Sequence, residues 1–96
     1  MRSAEVVIEN DAGLHSRPGK VFVERAKGWA STIKIENLTR NAGPVDAKSI
    51  LGLLTLGASR GHRMRLTVDG ADEELALADL VRLIEEGIGE QEPTTT

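Results

Sequence analysis

The sequence predicts an α+β fold with two layers, in which three helices cover one face of a four-stranded antiparallel sheet. Four short segments alternate between apolar and polar residues, as strands do when only one face is buried. Three other segments carry apolar residues at helical spacing, and the order of elements is β-α-β-β-α-β-α. Strands this few and this amphipathic favour an antiparallel sheet that is covered on one side only.

The composition narrows the functions open to this 96-residue chain, which has the length of one small domain. It contains no cysteine, which excludes disulfides and thiolate chemistry, and two histidines alone argue against a zinc site. A net charge of −3, with one Trp and one Phe as the only aromatic residues, argues against nucleic-acid binding. No apolar run approaches the roughly 18 residues of a membrane span. We therefore expect a soluble cytoplasmic protein without a metal or cofactor.

The first strand and the first helix frame a short loop. The segment AEVVIE, residues 4–9, predicts a strand, and residues 10–13 after it tolerate tight turns. Ser16 is predicted to be the N-cap of the first helix, and Pro18 suits the first turn because its missing N–H would be unpaired there. Gly28 is predicted to end this helix. Its apolar face consists of Phe22, Ala26 and Trp29.

The middle of the chain predicts a hairpin. Residues 32–36 alternate cleanly between polar and apolar side chains, as a half-buried strand requires. A turn is expected within residues 37–43, and a short return strand within residues 40–46. Because proline cannot donate a hydrogen bond to a neighbouring strand, Pro44 confines this return strand to an edge or irregular position.

A short second helix follows the hairpin. It is predicted to begin at about Ile50, with either Ser49 or Asp46 as its N-cap, and to end at Gly57. Two glycines in this apolar segment favour a short helix that is partly exposed, because glycine weakens a helix interior.

The last strand and the last helix complete the predicted domain. Residues 63–69, RMRLTVD, alternate again, and the acidic residues 72–74 suit the positive end of a helix dipole. The apolar stripe of this helix consists of Leu77, Leu80, Val81, Ile84 and Ile88. We therefore predict one domain over residues 1–88 and a flexible C-terminal tail over residues 89–96.

His15 is the main candidate for chemistry because it lies where the first helix begins. The first N–H groups of a helix lack partners and attract anions. A neutral imidazole is a nucleophile, and the amides of Ser16 and Arg17 are then close enough in the chain to bind a phosphate held by His15. Arg17 adds a forked cationic donor. From these residues alone, His15 is either a phosphoryl acceptor or a helix cap, and Arg17 is either a phosphate ligand or a solvated side chain.

Two motifs together resemble the HPr family, the histidine-containing phosphocarrier proteins of the phosphoenolpyruvate:sugar phosphotransferase system. They are GLHSRP at residues 13–18 and DAKSILG at residues 46–52, and the resemblance extends over about residues 4–86. It implies an open-faced β-sandwich. It also implies that His15 accepts a phosphoryl group at Nδ1 from phosphorylated Enzyme I and passes it to the IIA domains of sugar permeases.

The resemblance assigns roles to further residues. Arg17 matches the arginine beside the phosphorylated histidine, and Ser49 matches a regulatory serine that an ATP-dependent HPr serine kinase/phosphorylase modifies in many relatives. It also implies that part of the second helix is a docking surface for Enzyme I and IIA partners. The expected docking residues are Lys20, Lys48, Ile50, Leu51 and Leu54.

Three functions remain open at this point. The leading one is a monomeric phosphocarrier, which carries a phosphoryl group from one enzyme to another and is not itself an enzyme. The second is a regulatory binding module, in which phosphorylation of Ser49 controls docking to a transcriptional regulator or an enzyme. The third is a carrier for a nitrogen-related phosphorelay or for a dihydroxyacetone kinase.

The chain also departs from the family pattern. The hairpin between Glu36 and Asp46 is longer than usual, and a polar tail follows the last helix. Gly19 stands where alanine is common, and its small size is expected to let a phosphate or a partner backbone approach. The second histidine, His62, is interpreted as a surface residue without a catalytic role.

Overall fold

A computed structural model of the chain describes residues 1–88 and confirms the predicted fold. The predicted tail, residues 89–96, lies outside the described residues. Three helices and an antiparallel four-stranded sheet follow one another in the expected order. The elements are β1 (Arg2–Val7), α1 (Ser16–Lys27), β2 (Thr32–Asn37), β3 (Ala42–Asp46), α2 (Ile50–Leu54), β4 (Arg63–Asp69) and α3 (Glu73–Glu85).

The sheet has the strand order β1-β4-β2-β3, so the last strand in sequence lies inside the sheet. The predicted limits of β4 are confirmed, whereas β1 begins and ends two residues earlier than residues 4–9. The reason is pairing, since Arg2 lies opposite Val68 and the ladder runs to Val7 opposite Arg63. Pro44 was predicted to confine this strand to an edge or irregular position, and it lies at an edge, because β3 pairs with β2 alone among the strands of residues 1–88.

The core lies between the sheet and helices α1 and α3. Alternate residues of the inner strands point into it, as the period of two requires. Trp29 lies beyond the end of α1 and is only half-buried, so it extends the predicted helix face without belonging to the helix. The largest fully buried side chains are Phe22, Ile8, Leu14, Ile33, Ile35, Leu53, Leu56, Met64, Leu66, Leu80, Ile84 and Ile88.

The end of α3 explains why Ile88 is buried although the helix ends at Glu85. The Ile88 amide donates to the Leu83 carbonyl at 3.0 Å, and the Gly87 amide donates to the Ile84 carbonyl at 3.1 Å. This is a Schellman motif, in which glycine takes the left-handed position and the next apolar residue turns back onto the helix. No helix within residues 1–88 is long and apolar enough to cross a bilayer.

Asp72 joins the start of α3 to the start of β2. It is the N-cap residue of α3, yet its carboxylate accepts no hydrogen bond from that helix. The carboxylate accepts instead from the Ala30 amide at 2.8 Å, from the Ser31 amide at 3.0 Å and from the Ser31 hydroxyl. These hydrogen bonds, that of the Ser31 hydroxyl first, lower the pKa of Asp72 below its ordinary value.

We therefore expect Asp72 to stabilise the fold at neutral pH and to lose this effect in acid. Because its pKa is lower in the folded state, its contribution is complete above the ordinary value of 3.8 and disappears as the pH falls through the lowered folded pKa. In urea unfolding, Asp72→Ala should be less stable than the wild type at pH 7 and nearly equal to it near pH 2. Glu74→Ala, at an exposed acid of the same helix turn, is the control. An equal difference in the free energy of unfolding between Asp72→Ala and the wild type at both pH values would contradict the prediction.

Candidate functional site

His15 lies at the junction between the loop after β1 and helix α1. It is the N-cap of this helix, in an extended conformation with φ −98° and ψ 160°. The prediction that Ser16 is the N-cap is therefore wrong, and the His15 side chain makes no capping hydrogen bond to the helix. The imidazole is exposed and forms no hydrogen bond or ion pair within residues 1–88. Only the backbone is fixed, with the His15 amide donating to the Ala12 carbonyl at 3.2 Å.

Ser16 begins the helix in a strained backbone conformation, with φ at +52°. A non-glycine residue in the left-handed region costs about 1–2 kcal/mol. The residues on both sides are restricted, since Leu14 is buried in the core and the ring of Pro18 fixes its own φ. The reversal of the chain is therefore concentrated between His15 and Arg17.

Hydrogen bonds to the loop around Ala58 and from the Asn10 side chain fix the backbone before His15. The Leu14 amide donates to the Ala58 carbonyl at 3.1 Å, and the buried Asn10 side chain donates to the Gly13 carbonyl at 2.8 Å. Gly13 has φ at +63°, and a Cβ on it would lie 2.3 Å from the Ala58 oxygen. The exposed imidazole is thus carried by a closely packed backbone.

Gly19 does not provide space for a ligand, so that expectation is wrong. Gly19 is buried, and a Cβ on it would lie 2.3 Å from the carbonyl oxygen of Leu14 and 3.6 Å from Leu53. The missing side chain lets the Leu14 carbonyl approach the first turn of α1. Gly19 therefore contributes to the shape of the His15 loop from inside the protein.

Arg17 is an exposed cation in the first turn of α1, and it forms no ion pair within the described residues. This turn contains no acidic side chain, whereas Arg25 and Lys27 lie in the last turn. The helix dipole and Arg17 therefore both contribute positive potential beside His15, without a carboxylate in the turn to neutralise it. An anion is favoured there.

The second helix presents both a cap and an apolar face. The Ser49 hydroxyl accepts a hydrogen bond from the Gly52 amide at 3.1 Å, so Ser49 is the N-cap, and the alternative, Asp46, accepts instead from the Lys48 amide at 2.9 Å. The helix ends at Leu54 with Thr55 as its C-cap, so the predicted end at Gly57 is wrong. Leu53 is buried. The exposed apolar residues are Ile50 at 39%, Leu51 at 75% and Leu54 at 46%.

A groove of about 470 Å³ lies between α1 and α2 and brings most of the expected docking residues together. Leu51 does not line it and lies on the outer side of α2, and Arg17 lines a neighbouring open depression that shares Lys20. The Lys48 ammonium donates to the Trp29 carbonyl at 2.7 Å, so it holds the end of α1 as well as bordering the groove. The groove is lined by Ser16, Lys20, Val23, Glu24, Lys27, Lys48, Ile50 and Leu54.

Three residues of this groove were missed by sequence reasoning, namely Val23, Glu24 and Lys27. A signal for them existed, because they continue the helical spacing of Lys20 along the same side of α1. Within residues 1–88, no group of three or more His, Asp and Glu side chains is arranged to hold a metal ion.

A family model for the PTS HPr component phosphorylation site matches residues 2–86. The chain belongs to the HPr family. The HPr of Borreliella burgdorferi is 39% identical over 88% of this chain and 95% of its own length. The crystal structure of HPr-C-His from Thermoanaerobacter tengcongensis has a TM-score of 0.87 at 40% identity, covering 96% of this chain and 100% of that one.

Longer relatives share this HPr unit. The multiphosphoryl transfer protein of Escherichia coli O157:H7 is 41% identical over 92% of this chain. The chain spans 23% of that protein's length. The family model describes the phosphorylation site of the PTS HPr component, and the Borreliella burgdorferi relative is a phosphocarrier protein.

The second histidine of this HPr-family chain is not the surface residue that the sequence indicated. His62 is half-buried, and its Nδ1 lies 3.0 Å from the side-chain nitrogen of Asn37 and 3.2 Å from the Ser59 amide. Asn37 itself is fully buried at the end of β2. The sequence contained no signal for this contact, since 25 residues separate its two members.

Proposed function

We propose that this chain is a phosphocarrier in which His15 accepts a phosphoryl group from phosphorylated Enzyme I and donates it to IIA domains of sugar permeases. The observation that carries the proposal is the free, exposed imidazole at the N-terminus of a twelve-residue helix whose first turn has Arg17 and no acid. Membership of the HPr family supports the same chemistry.

The transfer requires a nucleophile, in-line approach and stabilisation of oxygen charge. The lone pair of the neutral His15 imidazole, assigned to Nδ1 from the family resemblance, attacks phosphorus. The new N–P bond forms as the bond to the donor breaks, and the donor keeps that bond's electron pair. The amides of Ser16 and Arg17, with the Arg17 guanidinium, bind the phosphoryl oxygens. Because the group must be passed on, this binding must be moderate.

Docking is assigned to the surface beside His15. Ile50, Leu51 and Leu54 are exposed aliphatic residues, and the groove beside them is lined by three lysines and one acid, Glu24, which lies 3.9 Å from Lys27. An apolar centre with a basic border suits transient binding of acidic partner surfaces. Lys20, whose side chain lines both the groove and the depression beside Arg17, connects the docking surface to the phosphorylation site.

We expect Leu51→Asp to weaken docking without weakening the fold. Leu51 is 75% exposed, so the substitution should change the free energy of unfolding by less than about 0.5 kcal/mol. The KM for this chain as a substrate of Enzyme I should rise about tenfold, as for loss of an interface anchor, with kcat little changed. Leu75→Asp, at a residue of α3 that is 67% exposed, is the matched control and should leave KM unchanged. Equal effects of both variants would contradict the docking assignment.

The proposed function is tested by incubating the chain with phosphoenolpyruvate and Enzyme I and measuring its intact mass. One phosphoryl group should be added, and the adduct should be labile in acid and stable in base, as a phosphohistidine is. Fragmentation should place it on His15. An acid-stable adduct, or none at all, would refute the proposal.

A second candidate function is regulatory phosphorylation at Ser49. The observation in its favour is the position of Ser49 as N-cap of α2, directly beside the exposed face of Ile50 and Leu51. A phosphoserine adds about −1.5 to −2 charges at pH 7, which would alter docking of acidic partners. The test is incubation with ATP and a cytosolic extract. Ser49→Ala should abolish an acid-stable mass shift, whereas a shift that persists would assign the modification elsewhere.

The proposal also covers the phosphoryl relay in which this carrier acts. We assign it to sugar uptake as a cytoplasmic monomer whose partners are Enzyme I and IIA domains, and, through Ser49, a serine kinase/phosphorylase and a transcriptional regulator. Its similarity to multiphosphoryl transfer proteins supports a relay with several phosphoryl-carrying units. Nitrogen regulation and a dihydroxyacetone kinase are the other relays that partner tests would distinguish.

A further inference from the structure

We infer that His62 is a positioning residue for the phosphoryl acceptor and that its protonation loosens the loop carrying His15. The inference rests on the proposed function for its activity readout, but it starts from hydrogen bonds around His62 that the proposed function does not use.

His62 has only one protonation form that satisfies its neighbours. Two groups approach Nδ1, the side-chain amide nitrogen of Asn37 at 3.0 Å and the backbone amide of Ser59 at 3.2 Å. Both are hydrogen-bond donors, so Nδ1 must offer a lone pair and the ring proton must reside on Nε2. The Asn37 assignment is itself fixed, because its NH₂ also donates to the Leu56 carbonyl at 3.0 Å and its oxygen accepts from the Arg40 amide at 3.1 Å.

This pair of hydrogen bonds shapes the loop of residues 57–62, which in turn holds the His15 loop. Next to Ser59, the Ala58 carbonyl accepts from the Leu14 amide at 3.1 Å. The missing Cβ of Gly13 also places that residue against Ala58 and Ser59. At the other end of the segment, the Ile8 amide donates to the His62 carbonyl at 3.1 Å. The backbone that carries His15 is therefore built on the loop that His62 fixes.

Protonation would put a third donor where a lone pair is needed. An imidazolium has N–H groups on both nitrogens, so Nδ1 could accept from neither Asn37 nor Ser59. The charge would be added to a region in which acidic and basic side chains are equal in number once Glu5, the partner of Arg63, is counted. The charged side chains on the adjoining segments are Glu9, Asp11, Arg40, Arg60 and Arg63, of which Arg60 pairs with Asp11 at 2.7 Å and Arg63 pairs with Glu5 at 3.5 Å.

Two substitutions separate positioning from a simple role in packing. His62→Asn places an amide oxygen where Nδ1 stood, which accepts the same two hydrogen bonds but cannot be protonated near neutral pH. His62→Ala removes the acceptor and leaves Asn37 and Ser59 without this partner. Neither substitution touches His15, so the variants are compared with the wild type at the same pH and with the same phosphoryl acceptor.

The experiment measures the rate at which each protein is phosphorylated at His15 by phosphoramidate, a small donor that needs no docking surface, between about pH 8 and pH 5.5. At pH 8, the wild type and His62→Asn should be phosphorylated at equal rates. His62→Ala should react about tenfold more slowly, because the loop that positions His15 is displaced. Near pH 5.5, the phosphorylation rate of the wild type should be about fivefold lower than that of His62→Asn. A ratio of wild type to His62→Asn that does not change with pH would overturn the inference.

Hydrogen exchange of the Leu14 amide gives a second readout that needs no phosphorylation. At the lower pH it should exchange faster in the wild type than in His62→Asn, and in His62→Ala it should be faster at every pH. If His15 is never phosphorylated, the proposed function fails, while the exchange ratio still decides the role of His62. Equal exchange in all three proteins would overturn that role.

Discussion

His15→Ala is expected to abolish phosphoryl transfer completely and to leave the fold intact. The imidazole is the only proposed nucleophile at the site, and alanine offers no atom to which phosphorus can bind. The side chain is exposed and unpaired within the described residues, so the free energy of unfolding should change by less than about 0.5 kcal/mol. Intact mass after incubation with phosphoenolpyruvate and Enzyme I should show no phosphoryl adduct, while urea unfolding should match the wild type.

A graded control distinguishes loss of the nucleophile from loss of charge at the site. Arg17→Lys keeps a cation but loses the forked geometry that binds two oxygens, so it should still be phosphorylated, at a reduced rate. Phosphorylation that persists in His15→Ala with an unchanged adduct would move the assignment to another residue. A normal rate in both variants would remove the whole site from the proposed chemistry.

Gly13→Ala is expected to have the largest effect on stability of the substitutions considered. Gly13 has φ at +63°, a conformation that costs an L-residue about 1–2 kcal/mol. A Cβ would also lie 2.3 Å from the Ala58 oxygen and 2.8 Å from the Ser59 Cα, both backbone atoms that cannot move alone. Overpacking of this kind adds about 1–3 kcal/mol, so a total loss of roughly 3 kcal/mol is expected.

Gly61→Ala is the matched control for this prediction. Gly61 also has a positive φ, +87°, but no atom of residues 1–88 lies within 4 Å of where its Cβ would be. It should therefore show only the backbone cost, about 1 kcal/mol, in a denaturant titration. If Gly13→Ala and Gly61→Ala proved equally stable, the close approach of the loop to Ala58 would be wrong. Because Gly13→Ala displaces the His15 loop, it should also slow phosphorylation, unlike Gly61→Ala.

Helix starts show where local sequence was sufficient and where it was not. Ser49 was correctly predicted as one of two possible caps for α2, because capping joins a side chain to an amide three residues later. The same rule was wrong at Ser16, where the helix begins at a left-handed residue. That residue lies between a buried Leu14 and a Pro18 with a fixed φ, and a capping rule takes account of neither.

The sequence by itself determined the order of elements, the limits of β4, the edge or irregular position of β3 and the two motifs that carry His15 and Ser49. All of these depend on spacings of a few residues, which are visible along the chain. Only the tertiary structure decided that Gly19 packs inside, that Lys48 holds the end of α1 and that His62 binds Asn37. The reason is physical. The contacts of Lys48 and His62 join segments 19 and 25 residues apart, and the close approach of Gly19 to the Leu14 carbonyl depends on how the loop packs, which no local propensity specifies.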